Sequence, residues 1–282
     1  MTSRPDVKAL NTRGRWPPPD GPRVAIVGSR RPSPYGEAVA EQLAAELARA
    51  GVVIVSGLAL GCDAAAHRGA LVGGGVTVAV MGTGVDIVYP AAHARLAEEI
   101  LAAGGALVSQ FPNGSSPRRQ NFPARNHTMA ALSDVVVVVE AVQGSGALIT
   151  AEAALELHKE VMAVPGSIFS PLSVGTHGLI RDGAGLVQNA RDVLAALGVG
   201  REVLDDPLGP PGRLGFGLPP ERDGILIHLS DVLAVSTADL ARKLHLPVAE
   251  VLGRLTSLEL DGAVRRQEAG YVRALRRGKE RA

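Results

Sequence analysis

Residues 24–36, VAIVGSRRPSPYG, decide the fold, because here an apolar run ends abruptly in a polar turn that contains glycine. The same change recurs in VVIV before SGLALGCD, in VTVAVM before GTGVD, and in VVVVV before EAVQGSG. A buried strand that leads through a glycine turn into a helix exposes backbone N–H groups, and such groups bind anions. The recurrence predicts a parallel sheet with a phosphate-binding face at the ends of its strands.

Six short apolar segments are predicted as strands of this sheet. They are β-branched and apolar on both faces, as strands are when helices cover both sides of a sheet. The predicted strands are Val24–Val27, Val52–Val55, Val76–Met81, Ala106–Ser109, Val135–Val139 and Val161–Val164. Right-handed crossovers between them predict an α/β fold with a doubly wound, mostly parallel sheet, whose ligands sit beyond the carboxyl ends of the strands.

The segment after the first strand is predicted as a helix. Ser33 is a suitable N-cap, and Pro34 suits the first helical position. Val39, Leu43 and Leu47 recur at helical spacing and form the stripe that faces the sheet.

Composition divides the chain into five segments. Residues 1–20 are polar and rich in proline, and are predicted to be a flexible leader. Residues 21–200 hold the alternating strands and helices, and residues 201–218 form a linker rich in Gly and Pro. Residues 219–275 are predicted to form a small C-terminal winged-helix domain, and residues 276–282 a basic tail.

The winged-helix prediction rests on three helical patterns and a hairpin. The first helix is predicted at residues 221–229, and Ser236 or Thr237 caps the second, ADLARKL. The third helix is VAEVLGRLTSLEL, and AVRRQEAGYVRA forms two short strands around Gly270.

The overall composition excludes several classes of protein. An apolar content of 46% in 282 residues is enough for a substantial core, so global disorder is excluded. The single cysteine, Cys62, excludes an internal disulfide and a cysteine-based zinc site, and the histidines lack the spacing of metal ligands. No apolar run is long enough to span a membrane and no export signal is present, so we expect a cytoplasmic protein without a metal site. The net charge of +1 gives no argument for nucleic acid, which must come from local charge.

The turn after the first strand is the first candidate anion site. It offers backbone N–H groups, the hydroxyl of Ser29 and the guanidinium groups of Arg30 and Arg31. Arginine contacts phosphate oxygens through two parallel hydrogen bonds, whereas lysine acts as a point charge. The alternative is two surface arginines on an ordinary loop.

The segment from Ser109 to Ser133 is the second candidate, because it contains no Asp or Glu. Its basic residues are Arg118, Arg119, Arg125 and His127. Phe111 and Phe122 lie among them, although aromatic residues make up only 3% of the chain. Positive groups can follow a phosphodiester backbone while an aromatic ring stacks on a base. The alternative is that Phe122 fills the core beneath the loop and the arginines are solvated.

The turn GSGALIT after the VVVVV strand is the third candidate. Its glycines, Gly144 and Gly146, allow close backbone approach, and Ser145 and Thr150 supply donors at a helix N-terminus. Glu140 at the strand end can bind a ribose hydroxyl in dinucleotide folds. However, the chain has no GxGxxG after its first strand and no GxxxxGK[ST], which argues against a dinucleotide site and a P-loop.

Three titratable residues, Asp63, His67 and Asp86, lie on neighbouring motifs. Two carboxylates can perform acid/base chemistry, but each is an equally suitable helix cap or turn anchor. No complete set of catalytic groups is found in the sequence. We therefore expect binding rather than turnover, with no cofactor.

Taken together, these motifs resemble the DNA-processing protein A (DprA, or Smf) family. The matching strings, in the order of the family, are GSRRPSPYG, SGLALGCDAAAHRGAL, GTGVDIVYP, FPARNH, VVVVEA, GSGALITAEAA, VMAVPG and GTHGLIRDGA. They cover roughly residues 24–187. Family members usually have Arg where His127 stands, Ile where Cys62 stands, and a Gly-Arg pair where Lys159 and Glu160 stand.

The resemblance implies an extended Rossmann-like domain that binds single-stranded DNA in a basic pocket. It also implies a homodimer that protects incoming DNA and loads the RecA recombinase during natural transformation and recombination. Carried over by position, the pocket includes Ser29 and Arg30 of the GSR turn. The other transferred positions are Phe122, Arg125 and Asn126 of the FPxRN motif and Gly146 and Thr150 of the GSGALIT turn.

Two other functions compete with this one. A nucleotide-cleaving enzyme similar to the phosphoribohydrolases is the first, with Glu152 near the position of their catalytic Glu but outside a PGGxGTxxE motif. The second is a transcription regulator whose winged helix binds duplex DNA through Arg254, Arg265 and Arg266, while the main domain senses a nucleotide.

Overall fold

A computed structural model describes residues 10–199, 225, 228–229, 234–244, 246–260, 264–267 and 270–273. The chain divides into two compact units, Met1–Leu214 and Gly215–Ala282. The predicted linker, the basic tail and most of the helix predicted at residues 221–229 lie outside the described residues.

The described part of the first unit alternates strands with helices. The strands are β1 (Asn11–Gly14), β2 (Arg23–Val27), β3 (Val53–Ser56), β4 (Thr77–Val80), β5 (Ala106–Ser109), β6 (Val135–Val138), β7 (Glu160–Ala163) and β8 (Gly185–Leu186). The helices are α1 (Pro34–Arg49), α2 (Cys62–Val72), α3 (Ala94–Ala102), α4 (Asn121–Leu132), α5 (Gly146–Glu156), α6 (Val174–Arg181) and α7 (Ala190–Ala196). Short 3₁₀ turns precede α3 and α6.

The strands form one sheet in the order β1-β5-β4-β3-β2-β6-β7-β8. Every neighbouring pair is parallel except β1 and β5. Strands β3, β4 and β5 follow β2 in order on one side of it. The chain then crosses to the other side of β2, where it adds β6, β7 and β8. A doubly wound sheet has its ligand crevice at such a reversal, outside the carboxyl ends of the strands. The predicted fold class is confirmed, and the six predicted strands are present with ends shifted by at most one residue.

Helix α1 begins and packs as its sequence predicts. The Ser33 hydroxyl accepts a hydrogen bond from the Gly36 N–H, which satisfies one free donor of the first turn. Leu43 and Leu47 are buried, and Val39 packs against the same core.

Alternate residues of the central strands face opposite sides of the sheet, and each side has its own core. Val24 and Ile26 pack with α1, α2 and α7 on one side. Ala25 and Val27 pack with α4 and α5 on the other. Because helices bury both faces, the strands are apolar throughout.

The structure differs from the sequence prediction at residues 1–20, because β1 lies within the expected leader. This strand pairs antiparallel with β5, from Asn11 opposite Ser109 to Gly14 opposite Ala106. Only Asn11 of the strand is partly buried. Backbone hydrogen bonds hold this edge strand in place, so its sequence needs no apolar pattern.

The second unit contains α8 (Thr237–Leu244), α9 (Val248–Leu260), β9 (Val264–Gln267) and β10 (Gly270–Arg273). The Ser236 hydroxyl accepts a hydrogen bond from the Asp239 N–H, which caps α8. Strands β9 and β10 pair antiparallel. The second and third predicted helices and the hairpin are therefore present.

Across the described ranges, no helix has the length and apolar character that crossing a membrane requires.

Candidate nucleic-acid interface

A cleft of about 370 Å³ opens at the carboxyl ends of the strands. Its walls come from the turn after β2, the start of α2, one face of α4 and the N-terminus of α5. The residues predicted from sequence that line it are Ser29, Arg30, Arg31, Arg125, Asn126, Gly146 and Thr150. Segments separated by more than a hundred residues in the chain therefore meet at one site.

The turn after β2 is held firmly against α2. The Ser29 carbonyl accepts a hydrogen bond from the Cys62 N–H, with 3.1 Å between nitrogen and oxygen. The Ser29 hydroxyl accepts another from the Arg31 N–H, also over 3.1 Å. A Cβ at Gly61 would lie 2.4 Å from the Ser29 carbonyl oxygen, so only glycine permits this approach. Arg30 is therefore presented to solvent from a fixed backbone.

Phe122 is half-buried and contacts two arginines. The Arg30 Cζ lies 5.3 Å from the centre of its ring, and the Arg125 Cζ lies 6.0 Å from it. Both distances are those of cation–π contacts. The ring rests on Gly82, where an added Cβ would lie 2.9 Å from the Phe122 Cδ1. Phe122 is thus neither fully buried in the core nor fully exposed, and part of its ring surface stays open to a ligand.

Arg125 is buried, with 4% of its surface exposed, although it belongs to the cleft wall. Its Nη1 donates to the carbonyl oxygens of Gly57 and, over 2.9 Å, of Val80. These carbonyls lie at the carboxyl ends of β3 and β4. The Nε of Arg125 finds no hydrogen-bond partner among the described residues. Burial lowers the pKa of the guanidinium, and the Asp63 carboxylate opposes that shift.

Asp63 anchors the turn after β3. Its Oδ2 accepts hydrogen bonds from the N–H groups of Gly57, over 3.1 Å, and Ala59, over 3.4 Å. Burial raises the pKa of this carboxyl, and the charge of Arg125 is the largest opposing influence. A Cβ at Gly57 would collide with both Arg125 and Asp63. Of the two roles that the sequence left open for Asp63, the geometry favours the turn anchor.

The other two candidates for acid/base chemistry are also engaged in structural contacts. Asp86 accepts a hydrogen bond from the Gly114 N–H over 2.9 Å. The Nδ1 of the buried His67 lies 2.7 Å from the Thr77 hydroxyl oxygen, and that hydroxyl donates to the Ile54 carbonyl. Because the Thr77 hydroxyl has one proton, His67 Nδ1 is the donor in the first contact. Burial lowers the pKa of His67 to about 3, so the ring is neutral.

The N-terminus of α1 is already occupied by a carboxylate. Glu140 is buried and accepts hydrogen bonds from the Ser33 N–H over 2.8 Å and the Ser33 hydroxyl over 2.5 Å. A Cβ at Gly36 would lie 2.2 Å from the Glu140 Oε2, so the carboxylate sits directly on the first turn. A negative group at this position is stabilised by the helix dipole. Glu140 therefore caps a helix instead of presenting itself to a ribose.

The N-terminus of α5, by contrast, opens into the cleft. Its N-cap residue, Ser145, makes no side-chain capping hydrogen bond, and its Oγ has no partner among the described residues. The amide of Asn126 donates to the Gly146 carbonyl over 2.9 Å, and the Thr150 hydroxyl donates to it over 3.5 Å. Asn126 and Thr150 thus fix the turn. The Leu148 N–H donates to the Ser145 carbonyl, which leaves the N–H groups of Gly146 and Ala147 for an anion.

Four of the predicted binding residues do not line this cleft. Phe122 lies beside it, in contact with the cleft residues Arg30 and Arg125. Arg118 lines a separate depression of about 380 Å³ together with Phe111 and Asn121. Arg119 is exposed and lines neither cavity. His127 points toward α5, where its Nδ1 lies 4.0 Å from the Glu156 Oε2.

Sequence reasoning missed the two glycines on which the site depends. Gly57 leaves room for Arg125 and Asp63, and Gly82 supports the ring of Phe122. Arg125 lies 68 positions from Gly57, and Phe122 lies about forty positions from Gly82, so only the fold shows why these positions need glycine. In the part of the chain that the structure describes, no group of three His, Cys, Asp or Glu residues is arranged to hold a metal ion.

Comparison with known proteins places the chain among bacterial DNA-processing proteins. Protein Smf of Escherichia coli K12 is 42% identical over 260 residues, which cover 90% of this chain and 68% of that protein. The putative DNA processing protein DprA of Mycobacterium tuberculosis H37Rv is 42% identical over 255 residues, which cover 90% of this chain and 65% of that protein. The chain thus spans about two thirds of the length of these relatives.

Two solved structures share the fold at substantial identity. The X-ray structure of DNA processing protein A from Streptococcus pneumoniae is 47% identical, with a TM-score of 0.58, over 62% of this chain and 61% of that chain. A structure that describes the single-stranded DNA binding mode of DNA processing protein A from Helicobacter pylori is 34% identical. Its TM-score is 0.60, over 67% of this chain and 86% of that chain.

Family models match both units of the chain. The model of the DprA winged helix domain matches residues 209–270. The model of DNA recombination-mediator protein A matches residues 3–198, which include the whole sheet and the cleft. The chain therefore belongs to the DNA recombination-mediator protein A family, and carries its winged helix domain as well.

Proposed function

We propose that this protein binds single-stranded DNA in the cleft at the carboxyl ends of its strands. The observation that carries the proposal is the half-buried ring of Phe122 in contact with the exposed Arg30, beside the open N-terminus of α5. The Helicobacter pylori relative, whose structure is described by its single-stranded DNA binding mode, supports the same ligand class.

The cleft and the ring of Phe122 beside it each suit one part of a single strand. The guanidinium groups of Arg30 and Arg31 and the N–H groups of α5 attract the phosphates. The face of Phe122 stacks on a base, and stacking tolerates any sequence because every base has a π-face. Among the described residues no carboxylate forms an ion pair with Arg30, so its charge is available to a phosphate.

The same proposal treats the protein as a binding protein without enzymatic activity. The two cleft residues with shifted pKa values, Asp63 and Arg125, have structural partners, and so does the buried His67. Glu152, the residue that a nucleotide-cleaving mechanism would need, is exposed on α5 and does not line the cleft.

The wider role follows from the family. We propose that the protein acts in the cytoplasm as a homodimer, protects incoming single strands and passes them to the RecA recombinase during transformation. The description of the family as a recombination mediator supports a role in handing over DNA. Light scattering of the purified chain tests the dimer, which would have twice the mass of one chain.

Fluorescence anisotropy with a labelled single strand and the matching duplex tests the binding proposal. We expect the single strand to bind more tightly, because stacking on Phe122 requires unpaired bases. Equal or tighter binding of the duplex would instead favour the transcription regulator. Release of free base from nucleoside monophosphates, abolished by Glu152→Gln, would favour the enzyme.

A further inference from the structure

A second aromatic side chain touches Phe122 beside the cleft. The ring centre of Tyr89 lies 5.8 Å from that of Phe122, and the two ring planes are tilted by 42°. Tyr89 is 44% exposed, so much of its ring faces solvent. A single exposed aromatic residue is ordinary on a protein surface. Tyr89 differs because it extends a ring that already contacts Arg30.

The loop that carries Tyr89 is fixed to the helix that carries Phe122. The Asn121 amide donates to the Gly82 carbonyl over 3.0 Å, which joins the start of α4 to the end of β4. Within the loop, the Thr83 hydroxyl donates to the Ile87 carbonyl over 2.6 Å. The two rings are therefore held in one arrangement before any ligand binds, which reduces the entropy lost on binding.

We propose that Tyr89 is a second base-stacking residue, so that Phe122 and Tyr89 hold two different bases of one strand. The rings touch each other, which leaves no room for a base between them, and each offers its open surface to a base of its own. Arg30 lies beside this pair and holds the phosphodiester backbone. This inference rests on the proposed binding of single-stranded DNA.

Two other roles for Tyr89 make different predictions. If its hydroxyl donated to a phosphate, Tyr89→Phe would weaken binding as much as Tyr89→Ala. If it only supported the cleft, Tyr89→Ala would weaken binding of the sugar-phosphate backbone as well as of the bases. An oligonucleotide of abasic residues separates these cases, since it keeps the phosphates and lacks the bases.

The experiment compares the affinities of the full chain for a short oligothymidylate and for an abasic oligonucleotide of equal length. For Tyr89→Ala we expect a loss of about 5- to 150-fold on the oligothymidylate, which corresponds to about 1–3 kcal/mol per stacked base. Binding of the abasic strand stays unchanged, and Tyr89→Phe keeps the affinity of the wild type. Phe169→Ala removes a 90% exposed aromatic ring from another loop and changes neither affinity.

Unchanged binding of the oligothymidylate by Tyr89→Ala would overturn the inference, as would an equal loss on both strands or a loss in Tyr89→Phe. If the proposed function itself is wrong, the binding results are different. In that case the wild-type protein itself does not bind the oligothymidylate, or Arg30→Ala and Phe122→Ala bind it as well as the wild type does.

Discussion

Asp63, His67 and Cys62 are titratable residues whose environments would attract attention in a search for a catalytic site. Burial raises the pKa of the Asp63 carboxyl and raises the pKa of the Cys62 thiol to about 12. Burial lowers the pKa of His67 to about 3. Yet Asp63 and His67 bond to the protein itself, and a Cβ at Gly28 would lie 2.6 Å from the Cys62 sulfur. The shifted pKa values of these three residues therefore result from their burial in the packed protein.

The buried His67 predicts how stability depends on pH. Between its ordinary pKa of 6.5 and its pKa of about 3, the unfolded chain binds a proton that the folded chain does not. Stability therefore falls on acidification, by up to about 1.4 kcal/mol per pH unit from this group. His67→Gln keeps an N–H donor but does not titrate. Urea denaturation from about pH 7 to about pH 4 should show the stability advantage of the wild type shrinking as the pH falls. A stability difference between the wild type and His67→Gln that stays constant over this pH range would contradict the lowered pKa of His67.

Arg30 and Arg125 show how far residue types alone predict a site. Both arginines were selected from sequence, and both belong to the cleft wall. Arg30 is exposed, whereas Arg125 donates to the carbonyl groups of Gly57 and Val80. The difference arises because Arg125 lies on the inner face of α4. That face is set by how the helix packs on the sheet, and neighbouring residues in the sequence do not specify it.

At the scale of elements, apolar runs predicted the six central strands, because strands buried on both faces must be apolar. Strands β1 and β8 were not predicted. The first is polar and the second has two residues, and their positions depend on pairing with β5 and β7. Helix N-termini show the same limit of prediction from sequence. Only the fold shows that Glu140 binds at the N-terminus of α1 and that the N-terminus of α5 has no side-chain cap.

Arg125 joins three elements, so its removal should destabilise the fold. Arg125→Ala would leave the buried carbonyls of Gly57 and Val80 without this donor, and would remove the charge that most opposes the raised pKa of Asp63. We expect a loss of about 1–3 kcal/mol in the free energy of unfolding for each buried carbonyl left without its donor. Arg30→Ala removes an exposed side chain and should change stability by less than about 0.5 kcal/mol. Urea denaturation followed by circular dichroism measures both, and equal stability of the two variants would contradict the structural role of Arg125.

At the scale of the whole molecule, composition and charge said little about the ligand. The net charge is +1, which does not distinguish a protein that binds DNA from one that does not. The charge that matters is local, because Arg30 and Arg31 share a cleft with the N-terminus of α5 at the carboxyl ends of the strands, and Arg30 contacts Phe122 there. The order of motifs predicted this meeting, since each motif follows a strand and the strands are parallel.

Arg49 provides a matched control for the charge of Arg30 at the cleft. It is exposed at the last position of α1, about 24 Å along the helix axis from the turn that carries Arg30. Arg49→Ala and Arg30→Ala remove the same charge from the molecule. Only the second removes it from the cleft.

The salt dependence of single-strand affinity in these two variants tests the binding site most directly. Arg30→Ala should lower affinity equally for strands of different sequence, because a phosphate contact carries no sequence information. The slope of log affinity against log salt should become shallower by about 0.7, the change for one lost phosphate contact on a single strand. Arg49→Ala should keep the slope of the wild type. A slope in Arg30→Ala equal to that of the wild type would contradict the account.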